Sequence, residues 1–163
     1  MRIEDINALD RRGFVDALGG VFEDSAWVAS RAWERRPFGS VHELHAAMRD
    51  EVERATRGEQ LALLRAHPDL GARAKMSEAS LGEQAGAGLD RLTSEEYAKL
   101  QRMNAAYREK FGFPFLLAVK GSPKHDILEA LERRSDSAAE DEFRAALEQV
   151  YRIARYRLEE AIS

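Results

Sequence analysis

In the segment opened by Ser40, the apolar residues Val41, Leu44, Ala47, Met48, Val52 and Ala55 fall at three- and four-residue steps. A helix gathers residues so spaced onto one stripe, whereas a strand would scatter them over both faces. Such a stripe is stable only when another element covers it, so a chain built this way must pack helix on helix. The same period recurs along the sequence. Asp10 can cap a helix carrying Phe14, Val15, Leu18 and Phe22, and Ser25 a second with Trp27, Val28 and Trp33, stopped by Pro37. Core placement is expected for both tryptophans. A short helix is expected from about Glu59 to Ala66, stopped by Pro68. Residues 69–77 read as a loop, and about Glu78 to Ala87 as a further short helix. Thr93 with Glu96 reads as the capping box of a helix reaching about Phe111. Ser122 is expected to begin a helix with proline at its second position. After the turn Arg134-Ser135-Asp136-Ser137, a last helix spans about Ala138 to Ile162.

Phe113-Pro114-Phe115-Leu116-Leu117-Ala118-Val119 breaks this pattern. It is apolar throughout, carries a proline and is followed at Gly121 by a breaker, so it is expected to be extended and largely buried. One such segment cannot make a sheet. No run resembles an interdomain linker, and no internal repeat occurs. The expected fold class is all-α: residues 1–163 as a single domain, an irregular helical bundle of about eight helices with one extended apolar segment.

A chain of 163 residues, 44% hydrophobic, can bury a sizeable core without covalent staples. It has no cysteine, which excludes disulfides, thiolate nucleophiles and cysteine-ligated zinc. The formal net charge of -4 argues against a nucleic-acid partner, which calls for a basic face. A small anionic substrate is still admitted, because one arginine can bind a carboxylate. Nowhere do 18 apolar residues run together, and the first residues lack the apolar core of a signal peptide. The terminal Ala161-Ile162-Ser163 is unlike a peroxisomal address. The expectation is a cytoplasmic protein without a membrane partner.

Four histidines are candidates for chemistry. His42 and His45, three apart on a helix, could begin a metal site, but no third ligand is evident and a solvated face explains them. His125, near a helix start, reads as surface. His67 precedes Pro68, which pushes it out of the α region at the end of a helix. The terminal carbonyls there favour an imidazolium, so His67 reads either as a structural helix end or as a proton-transfer group near neutral pH. Ser80, Glu83 and Gln84 stand at i, i+3 and i+4, so a helix presents them on one face, as a solvated surface or as a polar cluster. Arg152, Arg155 and Arg157 lie on the last helix, and nothing internal to the sequence selects among them. Arg157, between Tyr156 and Leu158, can pack its stem on apolar neighbours.

These positions fall in an order that resembles a known family. Leu64-Arg65-Ala66-His67-Pro68-Asp69-Leu70-Gly71 is similar to the His-Pro-Asp-Leu signature of the 2-oxo-4-hydroxy-4-carboxy-5-ureidoimidazoline (OHCU) decarboxylases. Ser80-x-x-Glu83-Gln84 with Ala87-Gly88-Leu89 resembles a second motif of that family. Asn104-x-x-Tyr107 followed by Lys110-Phe111-Gly112-Phe113-Pro114-Phe115 through Lys120-Gly121 resembles a third. Phe22-Glu23-x-Ser25-x-Trp27-Val28 and Arg155-Tyr156-Arg157-Leu158 also match in order, so the resemblance spans nearly the whole chain.

The resemblance implies an all-α, typically homodimeric enzyme that decarboxylates OHCU to (S)-allantoin in urate degradation, with no metal and no organic cofactor. It implies His67 as the acid/base group and Glu83 as a substrate-contacting acid; the mechanism expected of these residues has His67 moving a proton at the substrate's C4 or its hydroxyl, and so fixing the S configuration, with Glu83 holding the imidazole or that hydroxyl. It implies Ser80, Gln84, Pro68 and Arg157 as substrate-binding, and Phe115, Leu116, Leu117, Ala118 and Val119 as a pocket lining that offers backbone groups. Two other readings stand beside it: a helical binding or regulatory module without activity, and an enzyme of the same fold on another ureido or imidazoline substrate.

Overall fold

The computed structural model describes residues 1–70, 83, 85, 88–89, 91–120 and 122–163. The described residues form helices α1 (Ile3–Asn7), α2 (Arg11–Leu18), α3 (Trp27–Ala32), α4 (Val41–Glu53), α5 (Arg57–Ala66), α6 (Ser94–Phe111), α7 (Lys124–Arg134) and α8 (Ala139–Ala161), with a 3-10 turn at Trp33–Arg35. No strand occurs among them, so the all-α expectation holds there. No described helix is long and apolar enough to cross a membrane. The helix expected over Glu78 to Ala87 lies outside the described residues except at Glu83 and Ala85, both helical, and the loop expected over 69–77 is described only at residues 69 and 70.

The chain divides into two compact units, one of residues 1–66 with 151–163, the other of residues 67–150. In the first, α3 packs on α4 and on α2. The stripe of α4 is buried at Leu44, Ala47, Met48 and Val52, each Leu- or Met-sized side chain contributing about 1.5–3 kcal/mol. Ser40 accepts from the Glu43 amide and Asp10 from the Gly13 amide, so both expected caps form. α2 stops at Leu18, earlier than expected, and Phe22 is buried from the turn that follows.

Ser25 does not cap α3. Its hydroxyl donates to the Glu23 carbonyl at 2.8 Å, and the N-cap is Ala26 without a side-chain bond. The preceding turn already satisfies the first amides, since the Ser25 carbonyl takes the Val28 amide at 3.1 Å, which leaves the hydroxyl nothing to cap. Trp27 and Trp33 are half-buried rather than core. The Trp33 indole donates to the Leu9 carbonyl at 3.0 Å while the Arg36 guanidinium lies 3.5 Å from its ring centroid; Arg31 covers Trp27 at 4.6 Å. A polar edge and a cation on the face hold an indole at the rim. α1 was not expected, because five residues show no period; Asn7 fixes it by exchanging two 2.8 Å bonds with the backbone of Phe38. α5 starts before Glu59, because Thr56 and Glu59 form a capping box with two 3.1 Å bonds.

In the second unit, the expected Thr93–Glu96 capping box opens α6, and Gly112 closes it at φ 81°, a left-handed cap that favours glycine. α7 begins at Lys124 rather than Ser122. Pro123 stays extended (φ -70°, ψ 154°), and its carbonyl receives the Asp126 and Ile127 amides. Residues 113–119 are non-helical, with Phe113, Phe115, Leu116 and Val119 buried. Tyr107 meets Phe111, Phe113 and Phe115 at ring-centroid distances of 4.5, 6.0 and 5.3 Å.

Both capping-box carboxylates carry pH dependence. The bond from Arg31 holds Glu59 at about 2, and the bond from Lys124 does the same for Glu96. Folded values below the usual 4.5 mean that the stabilisation is complete above about pH 4.5 and is lost as pH falls toward 2. Melting temperature is expected to drop through that window, and Glu59→Gln with Glu96→Gln to flatten the drop while lowering Tm at neutral pH. Thermal melts from pH 7 to pH 2 check it.

Candidate active site

α5 ends at Ala66, and His67 follows in a bend, 5% exposed, ahead of Pro68. The break falls where the His-Pro pair puts it. Leu70 is buried, and the Asn104 side chain of α6 donates Nδ2–H to its carbonyl at 2.9 Å. One turn further along α6, Arg108 Nη2 pairs with Asp69 at 3.0 Å.

The same helix reaches the apolar segment. Tyr107, one turn from Asn104, donates its hydroxyl to the Glu142 carboxylate on α8, and Glu142 is 1% exposed. Arg134, at the end of α7, meets Glu142 at 2.5 Å and donates Nη1–H to the Leu116 carbonyl at 2.5 Å. Its guanidinium lies 4.5 Å from the Phe115 ring centroid. Gln149 Oε1 accepts from the Ala118 amide at 3.0 Å. The segment is therefore held by side chains at Leu116 and Ala118. Burial, then the bond to Glu142, pushes the Tyr107 phenol far above its ordinary value of 10.0, so it remains a donor at any working pH.

The other candidates are distributed as follows. Glu83 is helical and half-buried; Ser80 and Gln84 lie outside the described residues. Leu117 and Ala118 are half-buried, so the segment is not uniformly enclosed. Arg157 belongs to the other unit. It is 8% exposed and binds Glu23 Oε2 at 2.8 Å and the Gly20 carbonyl at 3.2 Å. Arg152 and Arg155 are exposed, and Arg155 pairs with Glu159. Burial thus separates Arg157 from its neighbours, which spacing alone did not. His42 and His125 are exposed. His45 turns its Nε2 to the Tyr151 carbonyl at 2.8 Å, and burial lowers its pKa.

Sequence reasoning missed Arg134, Glu142 and Gln149. It registered Asn104-x-x-Tyr107 as a pattern without a role. The available signal was the i, i+3 spacing, which puts an amide and a phenol on one face of an otherwise apolar stripe.

A buried histidine at a broken helix end shares its unit with an apolar segment braced by side chains, an arrangement that is compatible with acid–base chemistry. Comparison with known proteins makes this specific. The family model for OHCU decarboxylase matches residues 7–159. A 2-oxo-4-hydroxy-4-carboxy-5-ureidoimidazoline decarboxylase of Haloferax volcanii is 51% identical across 100% of this chain and 97% of its own length. A crystal structure of (S)-allantoin synthase superposes with a TM-score of 0.83 at 34% identity, over 99% of this chain; the present chain spans only 54% of that one. A second crystal structure, of OHCU decarboxylase in the presence of (S)-allantoin, has a TM-score of 0.73 at 21% identity, covers 93% of this chain and 97% of that one, and shows the shared fold. The chain belongs to the OHCU decarboxylase family.

Removing Glu142 leaves Arg134, whose side chain is 12% exposed, without its counter-charge. Glu142→Ala is expected to cost about 3–5 kcal/mol, and Tyr107→Phe about 1–3 kcal/mol. Urea unfolding of the two variants checks the order.

Proposed function

We propose that residues 1–163 act as one OHCU decarboxylase domain that converts OHCU to (S)-allantoin, with His67 as the acid/base group. The observation that carries the reading is the family match over residues 7–159 in a chain whose His67 is 5% exposed at a helix break.

The chemistry follows from the two compounds. The substrate carbon that bears the carboxylate also bears a hydroxyl and adjoins the ureido-bearing carbon. When the carbon–carboxylate bond breaks, carbon dioxide leaves, the bond's electron pair forms a double bond to that neighbour, and the neighbour's ring nitrogen takes the displaced C=N pair together with a proton from solvent. The resulting enol loses its hydroxyl proton as the carbonyl forms, and the ureido-bearing carbon gains a proton. That carbon is the stereocentre of allantoin. The stereochemical outcome is therefore set there, and not at C4 or its hydroxyl, where the mechanism expected from the residues placed it.

His67 moves the proton between the hydroxyl and that carbon. Glu83 orients the imidazole or the hydroxyl. Backbone groups of Phe115 to Val119 bind the ring, in a segment that Arg134 holds at the Leu116 carbonyl and Gln149 at the Ala118 amide. Fixed dipoles of this kind need little reorganisation as charge moves. Pro68, Ser80, Gln84 and Arg157 enter as substrate-binding groups on their match to the family's motifs. The pairing of two copies, expected from the same resemblance, is read by light scattering.

Fresh OHCU generated from urate and mixed with the protein should yield the circular dichroism of (S)-allantoin faster than spontaneous decay. In D₂O the product should carry deuterium on the ureido-bearing carbon. His67→Asn should lower kcat by about 10²–10⁴-fold. No acceleration by the wild type removes the decarboxylase reading and leaves a binding module or another substrate. Full rate and full S selectivity in His67→Asn removes His67.

A further inference from the structure

We propose that Asn104 is the positioning residue of the His67-Pro68 turn, an inference that rests on reading His67 as the acid/base group. Asn104 sits with Leu100 and Tyr107 on the buried stripe of α6 and is 5% exposed. Its Nδ2 donates to the Leu70 carbonyl at 2.9 Å, three residues past His67. Its Oδ1 is buried and has no hydrogen-bond partner among the described residues.

Those two facts together separate positioning from stability. A buried amide oxygen without a partner costs at least what one donor bond returns. A leucine of similar volume would serve the core as well or better. What leucine cannot do is hold the Leu70 carbonyl.

That carbonyl lies three residues along the chain from His67, and Pro68 fixes one φ of the path. Arg108, one turn along α6, grips the adjacent Asp69 at 3.0 Å. The Arg108 and Asp69 side chains are 46% and 34% exposed, so this second grip is the weaker one. α6 is itself fixed, by its capping box at one end and by the Tyr107 bond to Glu142 further on. The Asn104 amide therefore fastens the turn that carries His67 to a rigid helix, with Arg108 as the weaker second grip.

Asn104→Leu tests the assignment. Melting temperature should stay level or rise. KM for OHCU should hold, while kcat falls by about 10²-fold, the scale of a small misplacement of a reacting group. The His67 imidazole resonances in two-dimensional NMR should move, with those of His42, His45 and His125 unmoved. In a His67→Asn background, the second substitution should cost nothing more, because the two act through one group.

Unmoved His67 resonances with kcat within about twofold of wild type overturn the proposal. So does a rate loss that tracks a fall in melting temperature with all four histidines shifted. A wild type inactive on OHCU removes the decarboxylase reading instead, and the resonances still decide whether Asn104 orients His67. If Asn104→Leu does not fold, Asn104→Ala is read in the same way.

Discussion

Glu142 carries a carboxylate at 1% exposure, and a charge taken so far from water has to be met by donors and a counter-charge. Arg134 supplies the counter-charge, and the Tyr107 hydroxyl supplies the donor. Each partner brings something with it. Arg134 reaches the Leu116 carbonyl and covers Phe115; Tyr107 ties in α6 and the aromatic cluster. An apolar segment of seven residues has no ladder of its own to satisfy its backbone, so without these contacts it would have no defined course. The buried ion pair is best understood as fixing one conformation of that segment. As a source of net stability, such pairs often do no better than apolar substitutes.

α6 performs a similar service on its other contacts. Within one turn it presents Asn104 to the turn after His67 and Tyr107 to the pair behind residues 115–119. Two stretches of irregular chain, far apart in sequence, are thereby referred to one rigid element. Proton-transfer catalysis needs this kind of placement, because rate falls steeply when a reacting group is displaced by a fraction of a bond length. Among the described residues no group of three or more His, Asp or Glu side chains could hold a metal ion.

The parts legible in sequence were those governed by local rules. The α4 stripe, the Asp10, Ser40 and Thr93 caps and the break at His67-Pro68 depend on neighbours within four residues, and each formed where its spacing placed it. Local rules also explain the errors. Ser25 looks like a cap until the preceding turn is seen to have used the available amides, and Thr56 with Glu59 was a capping box passed over in favour of the later residue. Long-range pairings were not legible. Nothing near Arg134 announces that its partners are Glu142 and the Leu116 carbonyl, and Arg157 could not be told from Arg155 until burial beside Glu23 distinguished them. The role of His67 was ambiguous from chemistry alone, and the order of motifs along the chain is what weighted it toward catalysis.

The central claim is that product sits between the His67 imidazole and the backbone of residues 115–119. A crystal structure of this protein soaked with (S)-allantoin tests it most directly. The account requires the ligand within hydrogen-bonding distance of His67 and of at least one amide or carbonyl from Phe115 to Val119. A well-ordered (S)-allantoin bound elsewhere, with the imidazole and that segment untouched, would contradict it.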